Sequence, residues 1–359
     1  MIIAQVIGDL RIGGAERLFV NLANSLDAET VVVLVGQGAI KRDLRESLDS
    51  RIKVYESPVR KRALVTDLMR LARLFEELKC NIVHTHMFWA NLYGSIAAAL
   101  ADVPVAITSE HGRNEWKRPW HRWLESQVIS RIAKRRLCVS KDILERRRDF
   151  DGIPESKLEI SPNGTPVPEL DRDGRPRETV IGSVGRLVKE KDFPTLVEAV
   201  SRLVQEGYNW RLEIVGEGSA RGEIEHAITT NDAEQNVALI GVDQDVGRWL
   251  RRWSIFASSS IQEGQPIALL EAMAYGLPCV ATAVGGVPDT MADGLEGIIV
   301  PPGDAQALSE ALKTLIQDEV ICKRLGGAAR QRVVREFSID ALARRCLEIY
   351  QTELAKQGN

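Results

Sequence analysis

Aromatic residues are scarce in this 359-residue chain, at 5% of positions. That scarcity argues against a protein that holds single-stranded nucleic acid by base stacking. An excess of one charge is lacking too. The 47 Lys and Arg face 50 Asp and Glu, a formal net charge of −3, so no global basic field draws in a nucleic acid. Cysteines are few and scattered, at 80, 138, 279, 322 and 346, with no CxxC pair. This spacing excludes a disulfide framework and a zinc ribbon and fits reduced thiols in a cytoplasmic protein. No stretch reaches the roughly 20 apolar residues of a membrane span. The apolar opening, 1–7, is too short for a secretory signal and has no basic flank. What is present, 44% hydrophobic and 27% charged residues, is a globular composition with room for two domains of ordinary size.

The small net charge conceals a division. Through Thr165 there are 26 basic and 21 acidic residues, a surplus of +5, and the remainder carries −8. Halves of opposite sign point to two modules with different partners. Short apolar runs at 2–7, 31–35, 52–55, 82–85, 103–109, 137–140 and 158–161 alternate with helix-period segments such as 16–26 and 64–79. The pattern resumes with runs at 180–184, 211–215, 238–240, 255–258, 279–282 and 297–300, and a helical segment at 192–205. Alternation of this kind means βαβ units, parallel sheets and helices on both sheet faces. The stretch 162–177, PNGTPVPELDRDGRPR, holds four of the fourteen prolines and marks a boundary that neither helix nor sheet should cross. On either side the chain restarts alike, MIIAQVIG and TVIGSVG both being strands that run into glycine. The expected fold class is α/β: two doubly wound, Rossmann-like domains, 1–165 and 166–338, facing a central cleft. Ligands of such sheets sit beyond the carboxyl ends of the strands.

The richest window is 258–286, SSSIQEGQPIALLEAMAYGLPCVATAVGG. Pro266 suits the first turn of a helix, and Gly276-Leu277-Pro278 ends it. Glu263 then lies in the loop before the helix and Glu271 about one and a half turns inside it. Backbone N–H groups near Gly264, Gln265, Pro266 and Ile267 form an anion site at the helix N-terminus. Hydrolytic carboxyl pairs stand ~5–5.5 Å or ~6.5–9.5 Å apart, whereas eight residues of helical rise cover ~12 Å. The spacing therefore disfavours a glycosidase pair, and alone it equally fits an accident of a charged helix.

Other candidates stand at strand ends. Gly13 and Gly14 let the backbone approach a ligand or simply make a tight strand–helix turn. Arg186 and Lys191 are cations just past a strand and suit a diphosphate, or else are a solvated pair. His84 and His86, at i and i+2, show no third metal ligand and read as structural or cleft-lining. Gly216-Glu217-Gly218 with Gly222 departs from the dinucleotide fingerprint by its last spacing, GxGxxxG. Asp-x-Asp occurs three times, at 149/151, 171/173 and 243/245, too often to discriminate.

Glu-x7-Glu with glycine and proline after the first Glu, then EAMAYGLPCVAT and VGG, resembles the donor site of family 4 glycosyltransferases, which have the two-domain GT-B fold. Further pieces match in order along essentially the whole chain. They are Gly13-Gly14-Ala15-Glu16, Glu110-His111-Gly112, Ser161-Pro162-Asn163-Gly164, Gly185-Arg186-Leu187 and Lys189-Glu190-Lys191-Asp192. The resemblance implies a retaining hexosyltransferase using a nucleotide sugar, with UDP favoured over GDP. It reacts front-side, the leaving phosphate helping to deprotonate the acceptor, with no cofactor and no metal because Arg186 and Lys191 neutralise the diphosphate. Glu271 would bind the ribose, Glu263 the sugar hydroxyls, residues 264–267 the sugar and phosphate, and Val242 after Gly241 the base. His111 would hydrogen-bond the transferred sugar or assist the acceptor. The last helix, at about 339–355, would return to the first domain. The acceptor would be a glycan or lipid-linked hydroxyl in cell-surface polysaccharide or glycolipid synthesis, on a cytoplasmic protein. A nucleotide-sugar epimerase or a non-catalytic sugar-nucleotide-binding protein are the alternatives. The epimerase lacks the 263–286 pattern, and the non-catalytic protein would be expected to have lost Arg186, Lys191, Glu263 or Glu271.

Residues 113–136 carry eight basic and two acidic groups, with Trp116, Trp120 and Trp123 at i, i+4 and i+7. Such a stripe is either an interfacial helix that rests on an anionic membrane or a core-facing helix with solvated cations. Arg60-Lys61-Arg62 would extend the same basic surface.

Overall fold

The computed structural model describes residues 1–37, 40–170 and 178–357. The chain forms two compact units, one of Met1–Gly164 with Ile339–Asn359 and the other of Thr165–Ser338. Of the proline-rich stretch 162–177, residues 171–177 lie outside the described residues, as do Asp171 and Asp173.

The first unit is built on β1 (Ile2–Ile7), β2 (Glu29–Leu34), β3 (Lys53–Glu56), β4 (Ile82–His86), β5 (Val105–Glu110), β6 (Arg135–Cys138) and β7 (Leu158–Ile160). They lie in the order β3-β2-β1-β4-β5-β6-β7, every pair parallel. The second holds β8 (Val180–Val184), β9 (Arg211–Val215), β10 (Val237–Gly241), β11 (Ile255–Ser258), β12 (Cys279–Thr282) and β13 (Ile298–Val300). Their order is β10-β9-β8-β11-β12-β13, again all parallel. Parallel sheets are covered on both faces, which is why the central strands are continuous apolar runs. Each sheet reverses its winding at one place, between β1 and β4 and between β8 and β11. Strand ends at such a switch point splay their loops apart and leave a crevice for ligand.

Helix faces follow the 3.6-residue period. Helix Leu64–Glu77 buries Leu68, Leu71, Ala72 and Phe75 and leaves Leu64, Val65 and Met69 exposed. Helix Ile339–Ala355 buries Leu342, Cys346, Ile349 and Tyr350 and packs against helix Gly14–Ser25 in the first unit. Strand β6 begins two residues ahead of its expected apolar run because Arg136 is drawn into the interior by Glu110 and Glu125. None of the five cysteines forms a disulfide. Burial pushes the thiols of Cys80 to about 11 and of Cys138 and Cys346 to about 12, so they stay protonated. Among the described residues no helix is long and apolar enough to cross a membrane.

Candidate active site

In the second unit the chain leaves β8 through Gly185, Arg186 and Leu187. This turn is clamped by the one after β9, since the Leu187 N–H donates to the Glu217 carbonyl at 2.9 Å and the Ala220 N–H to the Leu187 carbonyl at 2.8 Å. Only glycine fits that clamp: a Cβ on Gly216 would lie 1.9 Å from the Gly185 oxygen, and one on Gly218 2.2 Å from the Leu187 oxygen. Gly216 and Gly218 of the GxGxxxG run thus serve close backbone approach, whereas a Cβ on Gly222 would meet nothing. Arg186, held on this turn, is exposed and makes no ion pair among the described residues.

A short helical turn, Lys189–Lys191, follows and leads Lys191 back toward the end of β11. There its Nζ lies 2.5 Å from Glu263 Oε1, and the same oxygen accepts from Ser260 Oγ at 2.7 Å. The β11 loop is pinned further. Ser259 Oγ donates to the Lys191 carbonyl at 2.9 Å, and the Ile261 N–H to the Glu190 carbonyl at 2.9 Å. Gly285, at φ +51°, completes the support, because a Cβ there would lie 2.0 Å from the Glu263 oxygen. With Oε1 engaged twice, Glu263 keeps Oε2, and Lys191 keeps its remaining N–H donors, for a ligand among the described residues. A half-buried ammonium and carboxylate in contact form a charge-assisted bond about twice as strong as a neutral one.

Helix Ile267–Ala274 begins four residues after Glu263, with Pro266 as its N-cap. Gly264, Gln265 and Pro266 are buried, and Gln265 Nε2 donates to Thr290 Oγ1 at 3.0 Å. Glu271 lies on the second turn of this helix, half-buried beside Tyr275. Val242 is 56% exposed after Gly241, whose carbonyl accepts from the Gly216 N–H. The structure therefore brings Arg186, Lys191, Glu263 and the 264–267 backbone to the switch point of one sheet, Lys191 and Glu263 in direct contact. Ser260, Gly285 and the Gly216–Gly218 turn support them and were missed in the sequence, where only the SxxE spacing hints at the serine.

In the first unit Gly13 is the N-cap of helix Gly14–Ser25, and the Glu16 carboxylate folds back on it, so that a Cβ at Gly13 would meet Oε2 at 2.3 Å. The anion resting against this turn is thus the helix's own. His111 follows β5 and lies between His86, 3.1 Å from its Nε2, and Asn163, 3.3 Å from its Nδ1. His86 Nε2 lies 2.8 Å from Gln5 Oε1, and His84 contacts Tyr350 and Ser109 at 2.5 and 2.7 Å. The histidine pair of β4 is a hydrogen-bonded structural element. Among the described residues no group of three His, Cys, Asp or Glu is arranged to hold a metal ion. Met87, directly after His86, is held at φ 70°, ψ 158°, a conformation that is essentially glycine's own and costs about 1–3 kcal/mol.

Glu110 joins a buried ion cluster with Lys117 and Arg136, which also hold Glu125. Burial alone would raise the Glu110 carboxyl, but Lys117, Arg147 and Arg136 outweigh it and bring it to about 2. This cluster corrects the picture of residues 113–136 as one solvated basic helix. Lys117 and Arg136 are internal, Arg113 pairs with Asp142 and Arg135 with Glu353. Arg118, Arg122, Arg131 and Lys134 remain without a carboxylate partner among the described residues. Proline at its first turn starts the helix at Pro119–Leu124, so Trp116 precedes it and the tryptophans are not one helical stripe. They are 53%, 49% and 60% exposed and do not fill the core. Trp116 and Trp120 gather around His121, at ring distances of 5.0 and 3.4 Å.

The described Asp-x-Asp triples are structural. Asp151 pairs with Arg147 and Asp149 with Arg148. Asp243 accepts from Trp249 Nε1, and Asp245 caps helix Val246–Arg252.

Two family models match this chain: Glycosyltransferase Family 4 over residues 12–167 and Glycosyl transferases group 1 over residues 171–332. The chain belongs to these glycosyltransferases, the enzymes of GT-B architecture. It is 28% identical over 317 residues to the capsular polysaccharide biosynthesis glycosyltransferase CapM of Staphylococcus aureus, covering 81% of this chain and 83% of that one. It is 25% identical over 323 residues to the UDP-Gal:alpha-D-GlcNAc-diphosphoundecaprenol alpha-1,3-galactosyltransferase of Escherichia coli, covering 82% and 83%. The crystal structure of Anabaena HepE in complex with UDP-glucose shares the fold, with a TM-score of 0.86 at 19% identity over 98% of this chain and 100% of that one.

The three histidines around Gln5 make stability depend on pH. Burial lowers His84 to about 3 and holds His86 and His111 below the usual imidazole value. The unfolded chain takes up protons near pH 6.5 where the folded one does not, so stability is full above that pH and falls below it. The limit is about 1.4 kcal/mol per pH unit for each histidine kept neutral. Glu110 contributes in a lower window, since its depressed value matters only below about pH 4.5. Urea unfolding of the wild type should therefore show a midpoint that declines from pH 7 to pH 5, with a shallower decline in His84→Gln. A flat profile in the wild type would contradict neutral burial.

Proposed function

We propose that this glycosyltransferase moves a hexose-type sugar, with retention, from a UDP-sugar to a glycan or lipid-linked hydroxyl in the synthesis of a cell-surface polysaccharide or glycolipid. The observation that carries this reading is the set of groups at the β8/β11 switch point. Arg186 and Lys191 supply two positive charges toward a leaving diphosphate, and Glu263 presents Oε2 to sugar hydroxyls. Fixed charges aimed at developing negative charge stabilise the transition state without reorganisation. With two cations in place the reading requires no metal, and in it Glu271 would bind the ribose and Val242 would meet the base. HepE was crystallised with UDP-glucose, and the E. coli relative is named for a UDP-galactose donor, which favours UDP.

Thermal shift against UDP, GDP and ADP, with EDTA throughout, tests the donor. A selective rise with UDP, undiminished by EDTA, is expected, and Glu263→Gln should lower transfer roughly 100-fold. Equal shifts with all three nucleotides, or full transfer by Glu263→Gln, would refute the site.

The lipid-linked acceptor is supported by the first unit. The 116–124 segment and Phe88–Trp89 follow β5 and β4, on the same sheet edge as His111, and expose three tryptophans beside Arg118 and Arg122, which have no carboxylate partner among the described residues. Nearby loops add Lys61 and Arg62, lining a cavity of about 500 Å³ with Gln37 and Arg60, and Arg60 is tied to Asp67 at 2.9 Å. Each cation near an anionic bilayer contributes about 1 kcal/mol. The protein should therefore float with phosphatidylglycerol liposomes and dissociate with salt. The Trp116/Trp120/Trp123→Ala variant should bind at least about tenfold more weakly. Equal flotation of both proteins would remove the membrane from the account.

A further inference from the structure

Five polar side chains of the first unit have no part in the reading above: Gln5 of β1, His84 and His86 of β4, Ser109 of β5, and Tyr350 of the terminal helix. All are buried, Gln5, His84 and Tyr350 completely. Polar groups so placed are costly unless paired, and these are paired in one chain that ends at His111.

The chain has a sense of direction. Gln5 Oε1, an amide oxygen, can only accept, so His86 carries its proton on Nε2, 2.8 Å away. A neutral imidazole has one N–H, which leaves His86 Nδ1 bare and facing His111 Nε2 at 3.1 Å. That contact is a hydrogen bond only if His111 donates from Nε2. At the other end Gln5 Nε2 donates to Tyr350 Oη at 3.0 Å. The tyrosine then gives its proton to His84 Nδ1 at 2.5 Å, and His84 Nε2 donates to Ser109 Oγ at 2.7 Å. Every link is satisfied with neutral rings, in keeping with burial that disfavours imidazolium in all three.

We propose that Gln5, acting through His86, fixes His111 as its Nε2–H tautomer, so that Nδ1 meets a substrate hydroxyl as a hydrogen-bond acceptor. Gln5 and His86 are positioning residues for His111. Asn163 Oδ1, 3.3 Å from Nδ1, also only accepts. It does not hold a bare Nδ1, and it receives the N–H that forms there if Nδ1 takes up a proton. Tyr350 ties the terminal helix to the other end of this chain, at Gln5 and His84. That His111 faces a substrate rests on the transferase reading; its tautomer does not.

The test is two-bond proton–nitrogen NMR of the full chain labelled with 15N-histidine, at pH 7.5, with His111 assigned from His111→Gln. The wild type should show His111 protonated at Nε2. Tyr350→Phe, which keeps Gln5 Oε1 in place, should leave that pattern intact. Gln5→Leu should release His111 to a mixture of tautomers, and His86→Phe, which removes the accepting Nδ1, should do the same if Gln5→Leu fails to fold. A His111 protonated at Nδ1 in the wild type, as a reversed chain with the Gln5 amide turned over would give, overturns the proposal. So does an unchanged tautomer in both variants. In the kinetic arm, His86→Phe should lower kcat about tenfold or more with the donor KM within about twofold. Should no donor be turned over, the transferase reading fails while the NMR result still decides the tautomer.

Discussion

One contact, the Lys191 ammonium on the Glu263 carboxylate, joins the loop after β8 to the loop after β11. Those loops border the switch point of the second sheet, and the Ser259–Lys191 and Ile261–Glu190 hydrogen bonds close them alongside it. Ser260 holds the carboxylate, Gly285 lies against the Glu263 backbone carbonyl, and the Gly216–Gly218 turn holds the backbone that presents Arg186. Because one carboxylate oxygen is engaged by Lys191 and Ser260, the same pair joins the loops and, in the proposed function, would present its other oxygen to a sugar hydroxyl. In the proposed function a donor diphosphate would compete for Lys191, so that donor binding would act on this contact between the loops.

The first unit uses buried charge and buried imidazole in place of an apolar interior around its strand ends. Glu110, Glu125, Lys117 and Arg136 neutralise one another, an arrangement that is weak evidence for stability but costly to break by removing one partner. Beside it the histidine chain keeps its protons off by burial. Together they make the carboxyl edge of the first sheet rigid and polar, and they leave a surface of tryptophan and arginine outside it. The strained backbone at Met87 stands where the strand turns into the helix that carries Phe88 and Trp89.

The two parallel sheets were legible in the sequence because central parallel strands are buried on both faces and so read as unbroken apolar runs. The loop and helix that carry Glu263 and Glu271 were legible because they fall in a contiguous window whose glycines and prolines announce a loop, a helix start and a helix end. The ion cluster was not. Lys117 and Arg136 look like any surface cations until Glu110 and Glu125 arrive from elements seven or more positions away in sequence. The tryptophan spacing misled for a local reason, Pro119 starting the helix after Trp116. Gln5 was hidden in an apolar strand, and Tyr350 is 345 residues from it, a separation that no periodicity bridges.

The central claim, that Lys191 and Glu263 act as one unit toward the donor, is tested by calorimetric titration of UDP-sugar into wild type, Lys191→Met, Glu263→Gln and the double variant. Residues in contact couple by about 0.5–3 kcal/mol, whereas independent ones add within about 0.3–0.5 kcal/mol. Each single variant should bind at least about tenfold more weakly, and the second substitution should cost less than it does alone. Strict additivity, or a double variant that binds the donor as the wild type does, would contradict the account.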